Sequence, residues 1–123
     1  MKESFIKNRL HSIVYAARGA YYLIKTEASI QAQFIIAGLT IVAGFYFKIN
    51  TIEWIFQIMA IGSILAIEGA NTAIEKLCDF IHPDHHERIG FIKDIAAGAV
   101  LFSATAAIIV GLIIYLPKII LLF

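Results

Sequence analysis

The sequence is poor in charge. Only 15% of its 123 residues are Asp, Glu, Lys or Arg, against 60% hydrophobic residues and a mean hydropathy of +0.83. A soluble domain of this size has too little interior to hide so much apolar surface. The net charge of +1 gives no case for a nucleic-acid partner. A single cysteine, Cys78, excludes an internal disulfide and cannot build a zinc site by itself. There is no glycine-rich phosphate loop of the Walker or kinase type. Internal repeats and linkers are absent too, so residues 1–123 are expected to form one domain. The N-terminus is basic and amphipathic, and it lacks the early apolar core and small-residue cleavage site of a secretory signal.

What the sequence does have is long apolar runs. The first segment, about residues 5–24, is too charged to span a membrane. Lys2, Lys7, Arg9, Arg18 and Lys25 alternate there with Phe5, Leu10, Ile13, Val14, Tyr15, Tyr21 and Tyr22. It reads as an amphipathic helix lying on a membrane surface. Three spans are expected after it, at about 28–48, 52–80 and 86–117, since roughly 20 residues of helix cross the hydrocarbon. Trp54 suits an interface. Pro83 should end the second span, with Asp84 capping the next helix, and Pro117-Lys118 should mark the far interface. Ala96, Ala97, Gly98, Ala99, Ser103, Ala104, Ala106 and Ala107 punctuate the third span. Small residues let helices approach closely, which points to a tight bundle or oligomer. The fold class expected is an all-α membrane protein, with an N-terminal surface helix and three transmembrane helices.

Orientation follows from charge. Lys and Arg crowd the N-terminal segment and recur at Lys76, Arg88 and Lys93, whereas the first turn has only Lys48 and the tail only Lys118. The positive-inside rule therefore puts the N-terminus and the second loop in the cytoplasm.

On that side lies an unusual string. Glu68, Asn71, Glu75 and Asp79 are spaced by 3, 4 and 4, which lines them along one helical face. Ala70, Ile74 and Leu77 fall opposite. Glu27 and Lys93-Asp94 reach the same interface. Ionisable groups at a membrane helix end are costly unless water, metal or a partner meets them. The bland alternative is a wet helix end with solvated charges. The sharper one is chemistry. Mg²⁺ takes one or two protein carboxylates together with phosphate oxygens, and Glu27 and Glu75 from two helices would suit. Another carboxylate could accept a proton from an alcohol, and Lys93 could neutralise phosphate. That set suffices for phosphoryl transfer, where positioning and electrostatics do most of the catalysis. His82, His85 and His86 could bind a metal, but read more simply as solvated loop residues. A small ion-conducting protein and a non-enzymatic assembly subunit are the other classes the composition allows. The first wants polar residues deep in the spans. The second has no need of three carboxylates on one side.

The string Glu68-x-x-Asn71-Thr72-Ala73-Ile74-Glu75, followed by Asp79, His86, Lys93-Asp94 and Ala96-Ala97-Gly98-Ala99-Val100, resembles the small prokaryotic diacylglycerol kinase family, which also contains undecaprenol kinases. Tyr15-Ala16, Gly19 and Glu27 extend the resemblance over essentially the whole chain. It implies a homotrimer of three-span subunits with a surface helix, and active sites shared between subunits. It also implies ATP-dependent phosphorylation of the primary hydroxyl of a membrane lipid. Glu68 would be the catalytic base, and Glu27 and Glu75 would hold Mg²⁺ and the ATP phosphates. Asn71, Lys93, Asp94, Asp84, His85, His86 and Tyr15 would complete the nucleotide site. Two departures stand out. Gly69-Ala70 replaces the two bulky aliphatics often found after the first glutamate, which should widen the groove beside the base. His85-His86 stands where an aromatic–histidine pair is usual. The tail, Ile109 to Lys118, is more similar to the undecaprenol kinase branch, so undecaprenol is the expected substrate and diacylglycerol the alternative.

Overall fold

The computed structural model describes residues 2–123; the side chain of Lys2, one of the basic residues noted above, lies outside the described residues. Four helices follow one another: α1 (Lys2–Thr26), α2 (Ala28–Tyr46), α3 (Thr51–Ile81) and α4 (Glu87–Ile120). Among the described residues there is no strand. The last three helices are long and apolar enough to cross a membrane. The protein is an all-α membrane protein.

Each connection is built by local chemistry. Between α1 and α2 a single extended residue, Glu27, turns the chain (φ −98°, ψ 114°). Helix ends leave backbone carbonyls without partners. Here the Gln31 side chain reaches back and donates to the carbonyls of Ile24 and Lys25, at 3.0 and 3.1 Å. A polar residue in an apolar run thus closes the end of the preceding helix.

The α2–α3 turn is tighter. Lys48 takes the left-handed conformation (φ 52°). Its N–H bonds to the Phe45 carbonyl at 3.3 Å and that of Ile49 to the Gly44 carbonyl at 3.1 Å, the two bonds of a Schellman motif. Asn50 then opens α3 through a reciprocal capping box with Glu53, at 2.9 and 3.0 Å. Gly44 is required here. A Cβ at this position would lie 2.7 Å from the Trp54 ring.

Pro83 follows the end of α3, as its missing N–H and fixed φ demand. The cap of α4 is His86, not Asp84: the His86 Nδ1 accepts from the Arg88 N–H at 3.1 Å. Asp84 instead offers its backbone carbonyl to the His82 Nδ1 at 2.7 Å. Helix α4 also continues through Pro117.

α3 and α4 pack along one another, α2 lies against α3, and α1 makes few contacts. At the end away from Glu68 a polar cluster ties three helices. The Tyr115 hydroxyl meets both the Gln57 side chain and, at 3.0 Å, the Thr40 carbonyl. Lys118 pairs with Glu53 at 2.7 Å. Inside a membrane such groups need internal partners. Within the chain only 6% of the most apolar window of α3 and of α4 is buried, so most of that surface is left for lipid or for other subunits.

Candidate active site

The last third of α3 carries the acidic string. Glu68 is 8% exposed and Thr72 5%. The Thr72 hydroxyl donates back to the Glu68 carbonyl at 3.1 Å, which leaves the Glu68 carboxylate unengaged by it. One turn on, the Asn71 amide donates to Glu75 Oε1 at 3.3 Å. The Asn71 Oδ1 is buried with no hydrogen-bond partner. A buried acceptor left unpaired costs free energy until a donor or cation reaches it. The opposite flank, Ala70, Ile74 and Leu77, is exposed to the surroundings.

Two further segments converge here. The α1–α2 elbow brings Glu27 to the Glu75–Lys76 turn, where its Oε1 lies 3.6 Å from Lys76 Nζ. Tyr22, one turn before the elbow, has its ring 5.3 Å from the same ammonium. The Lys76 side chain, with help from Thr26, holds the Tyr22 hydroxyl below the usual tyrosine range. From α4, Lys93 donates to Asp79 Oδ1 at 2.6 Å. Glu27, Asn71, Glu75, Asp79 and Lys93 are therefore gathered at one end of the bundle, with Glu68 buried about 10 Å further along the axis from Glu75.

Other candidates are not drawn in within a single chain. Tyr15 is 63% exposed on α1, against His11 and beneath the Arg18 guanidinium. Asp84, His85 and Asp94 are exposed. His86 is engaged as a helix cap and packs against His82, ring to ring at 4.9 Å. Among the described residues no three His, Cys, Asp or Glu side chains form a metal cluster, so the loop histidines are not one. Nor does Gly69 leave a groove open: a Cβ there would meet Leu23 Cδ1 of α1 at 3.0 Å. At Gly69 the space freed is taken by Leu23, so no widening is seen there, while Ala70 is exposed.

The donor set fits a hard cation. Carboxylates of Glu27 and Glu75 and the orphaned Asn71 oxygen are oxygen donors of the type Mg²⁺ prefers, a set that phosphate oxygens would complete.

The prokaryotic diacylglycerol kinase family matches residues 14–115. The chain belongs to this family. It is 38% identical over 107 residues to an undecaprenol kinase of Bacillus subtilis (87% of each chain). It is 32% identical over 111 residues to a diacylglycerol kinase of Synechocystis, covering 89% of this chain and 63% of that one. A diacylglycerol kinase of Escherichia coli K12 is 26% identical over 95 residues, covering 77% and 78%. The protein is thus an integral-membrane lipid kinase, and kinase chemistry implies ATP.

Two residues at this end of the lipid kinase's bundle escape a reading by helical periodicity. Lys76 sits one position after Glu75, off the 3–4–4 stripe, and only the elbow at Glu27 gives it a role. Tyr22 reads in sequence as one more interfacial aromatic. The available signal was their spacing from Glu27, five residues after Tyr22.

Proposed function

We propose that the chain transfers the terminal phosphate of ATP to the hydroxyl of undecaprenol at the cytoplasmic face of the membrane, giving undecaprenyl phosphate, with Mg²⁺ as cofactor. One observation carries the reading. Oxygen ligands and a lysine gather at the outer end of the acidic string, while buried Glu68 lies deeper along the same helix. This suits a reaction between a water-borne donor and a membrane-borne acceptor. The nucleotide meets Glu27, Glu75, Asn71 and Lys93 near the aqueous end. The lipid hydroxyl, anchored at the interface by its tail, meets Glu68. Glu68 takes the hydroxyl proton as the lipid oxygen bonds to the terminal phosphorus and the bond to ADP breaks. When bound, Mg²⁺ neutralises charge developing on the phosphate oxygens. Asn71 holds Glu75 in place through its amide. Tyr15, Asp84, His85, His86 and Asp94 would close on the nucleotide from α1, the loop and α4, from the same or a neighbouring subunit. The α1 helix, exposed and rich in both Lys/Arg and aromatic residues, would lie in the interface.

The choice of undecaprenol rests on the Bacillus subtilis relative and on the tail of α4. The relatives named diacylglycerol kinases favour the alternative acceptor. Purified protein in micelles with labelled ATP, offered undecaprenol and diacylglycerol in parallel, decides between them. Preferential labelling of undecaprenol is expected. Preferential labelling of diacylglycerol would transfer the assignment to that lipid, and no labelling of either would remove the proposal.

A further inference from the structure

We propose that Lys76 is a phosphate-binding residue of the nucleotide site, held against Glu27 until the metal–nucleotide complex claims that carboxylate. This inference rests on the kinase reading above.

Lys76 follows Glu75 directly, and its ammonium lies 3.6 Å from Glu27. It is therefore beside one of the two carboxylates assigned to the metal, and one position along the helix from the residue that carries the other. Its contact with Glu27 is longer than a good charge-assisted hydrogen bond, and its side chain is 53% exposed. Lys93, which α4 brings to this end, is held at 2.6 Å by Asp79. Lys76 is the loosely held cation of the two. A lysine carries its charge on a flexible four-carbon stem with rotatable donors, so it can exchange one oxygen partner for another. The Tyr22 ring beside it steadies the ammonium through a cation–π contact, so the longer contact to Glu27 is not its sole support.

Charge supplies the direction. Glu27 pairs with Lys76 and Asp79 with Lys93, and Glu75 adds a third carboxylate at this end of the bundle. An anionic triphosphate approaching that face is repelled unless cations meet it. Once a divalent cation engages Glu27, that carboxylate attracts Lys76 less, and the ammonium is released within reach of the incoming phosphates. The competing role is a passive one, in which Lys76 only ties the α1–α2 elbow to α3.

The test uses the full chain in detergent micelles. Equilibrium dissociation constants for Mg²⁺–ATP and for adenosine are measured by ligand-observed NMR for the wild type, Lys76→Met and Lys76→Arg, together with the thermal midpoint of each. Lys76→Met should weaken ATP about tenfold, equivalent to about 1.4 kcal/mol, and leave adenosine unchanged. Lys76→Arg should recover most of the loss. ATP binding within twofold of wild type in Lys76→Met overturns the proposal. So does a parallel loss of ATP and adenosine binding with a lowered midpoint, which is the signature of a passive tie. A wild-type protein that binds no ATP overturns the kinase reading itself, and is recognised without any variant.

Discussion

Asn71 places its amide nitrogen on Glu75 and leaves its buried oxygen without a partner. Most buried polar atoms in proteins are paired, and this exception is the atom we propose the metal–nucleotide complex meets. The same helix shows why the string reads so well in sequence: Glu68, Asn71 and Glu75 need only helical periodicity to share a face. Lys76 and Tyr22 need the elbow at Glu27, a tertiary event that periodicity cannot encode. Their pairing makes a titration prediction. A cation stabilises the phenolate, so the Tyr22 hydroxyl should ionise at lower pH than an ordinary tyrosine. In Lys76→Met its titration should move back up. Tyrosine ring-carbon NMR with Tyr22→Phe as the assignment control measures this, and a Tyr22 titration indifferent to Lys76→Met would contradict the contact.

At the scale of elements, the helices follow from composition, but their joints follow from single residues whose role is invisible in a hydropathy profile. Gln31 looks like an interruption and closes the end of α1. Asp84 is the better cap by residue type, yet His86 caps α4, because the helix starts at Glu87 and Asp84 falls two residues short of the cap position, its carbonyl taken by His82. Gln57 and Tyr115 look like stray polar residues in two spans and find each other across α3 and α4. Gly44 is the plainest case. Its missing Cβ admits the Trp54 ring, two of whose atoms would lie 2.7 and 2.8 Å from an added methyl. Gly44→Ala should therefore destabilise the α2–α3 hairpin. Overpacking of this kind costs about 1–3 kcal/mol, offset in part by the roughly 1 kcal/mol that alanine gains over glycine in a helix. The thermal midpoint in micelles should fall, and Trp54→Leu in the same background should restore it. An unchanged midpoint in Gly44→Ala would show that the ring is free to move.

For the whole molecule, the exposed apolar faces of α2, α3 and α4 are legible from composition, whereas their division between lipid and neighbouring subunits is not, because one chain contains only one side of any interface. Three spans cannot surround a site, and Tyr15, His85 and Asp94 are exposed within the chain rather than drawn in against the acidic string. We propose a homotrimer with sites completed across subunits. Mixed oligomers of Glu68→Gln and Glu75→Gln subunits should then regain part of the activity. Mixed oligomers shown to form yet fully inactive would place each site within one subunit. Orientation is tested separately in a Cys78→Ala background. A cysteine at Asn50 should react with an impermeant thiol reagent outside intact cells, and one at Asp84 should not. The reverse pattern would put the site on the side without ATP.

The central claim is that Glu68 serves the lipid hydroxyl while Glu75 serves the metal and nucleotide. Seven residues apart on a straight helix, they stand about 10 Å apart along the axis, so one metal ion does not bridge them. The most direct measurement is lipid phosphorylation by Glu68→Gln and Glu75→Gln across a Mg²⁺ titration, with ATP binding measured on the same samples. Glu68→Gln should lose about 10²–10⁴-fold in kcat and keep its ATP affinity at every Mg²⁺ concentration. Glu75→Gln should bind ATP more weakly and recover in part as Mg²⁺ rises. Rescue of Glu68→Gln by high Mg²⁺, with unchanged Mg²⁺ and ATP dependence in Glu75→Gln, would contradict the account.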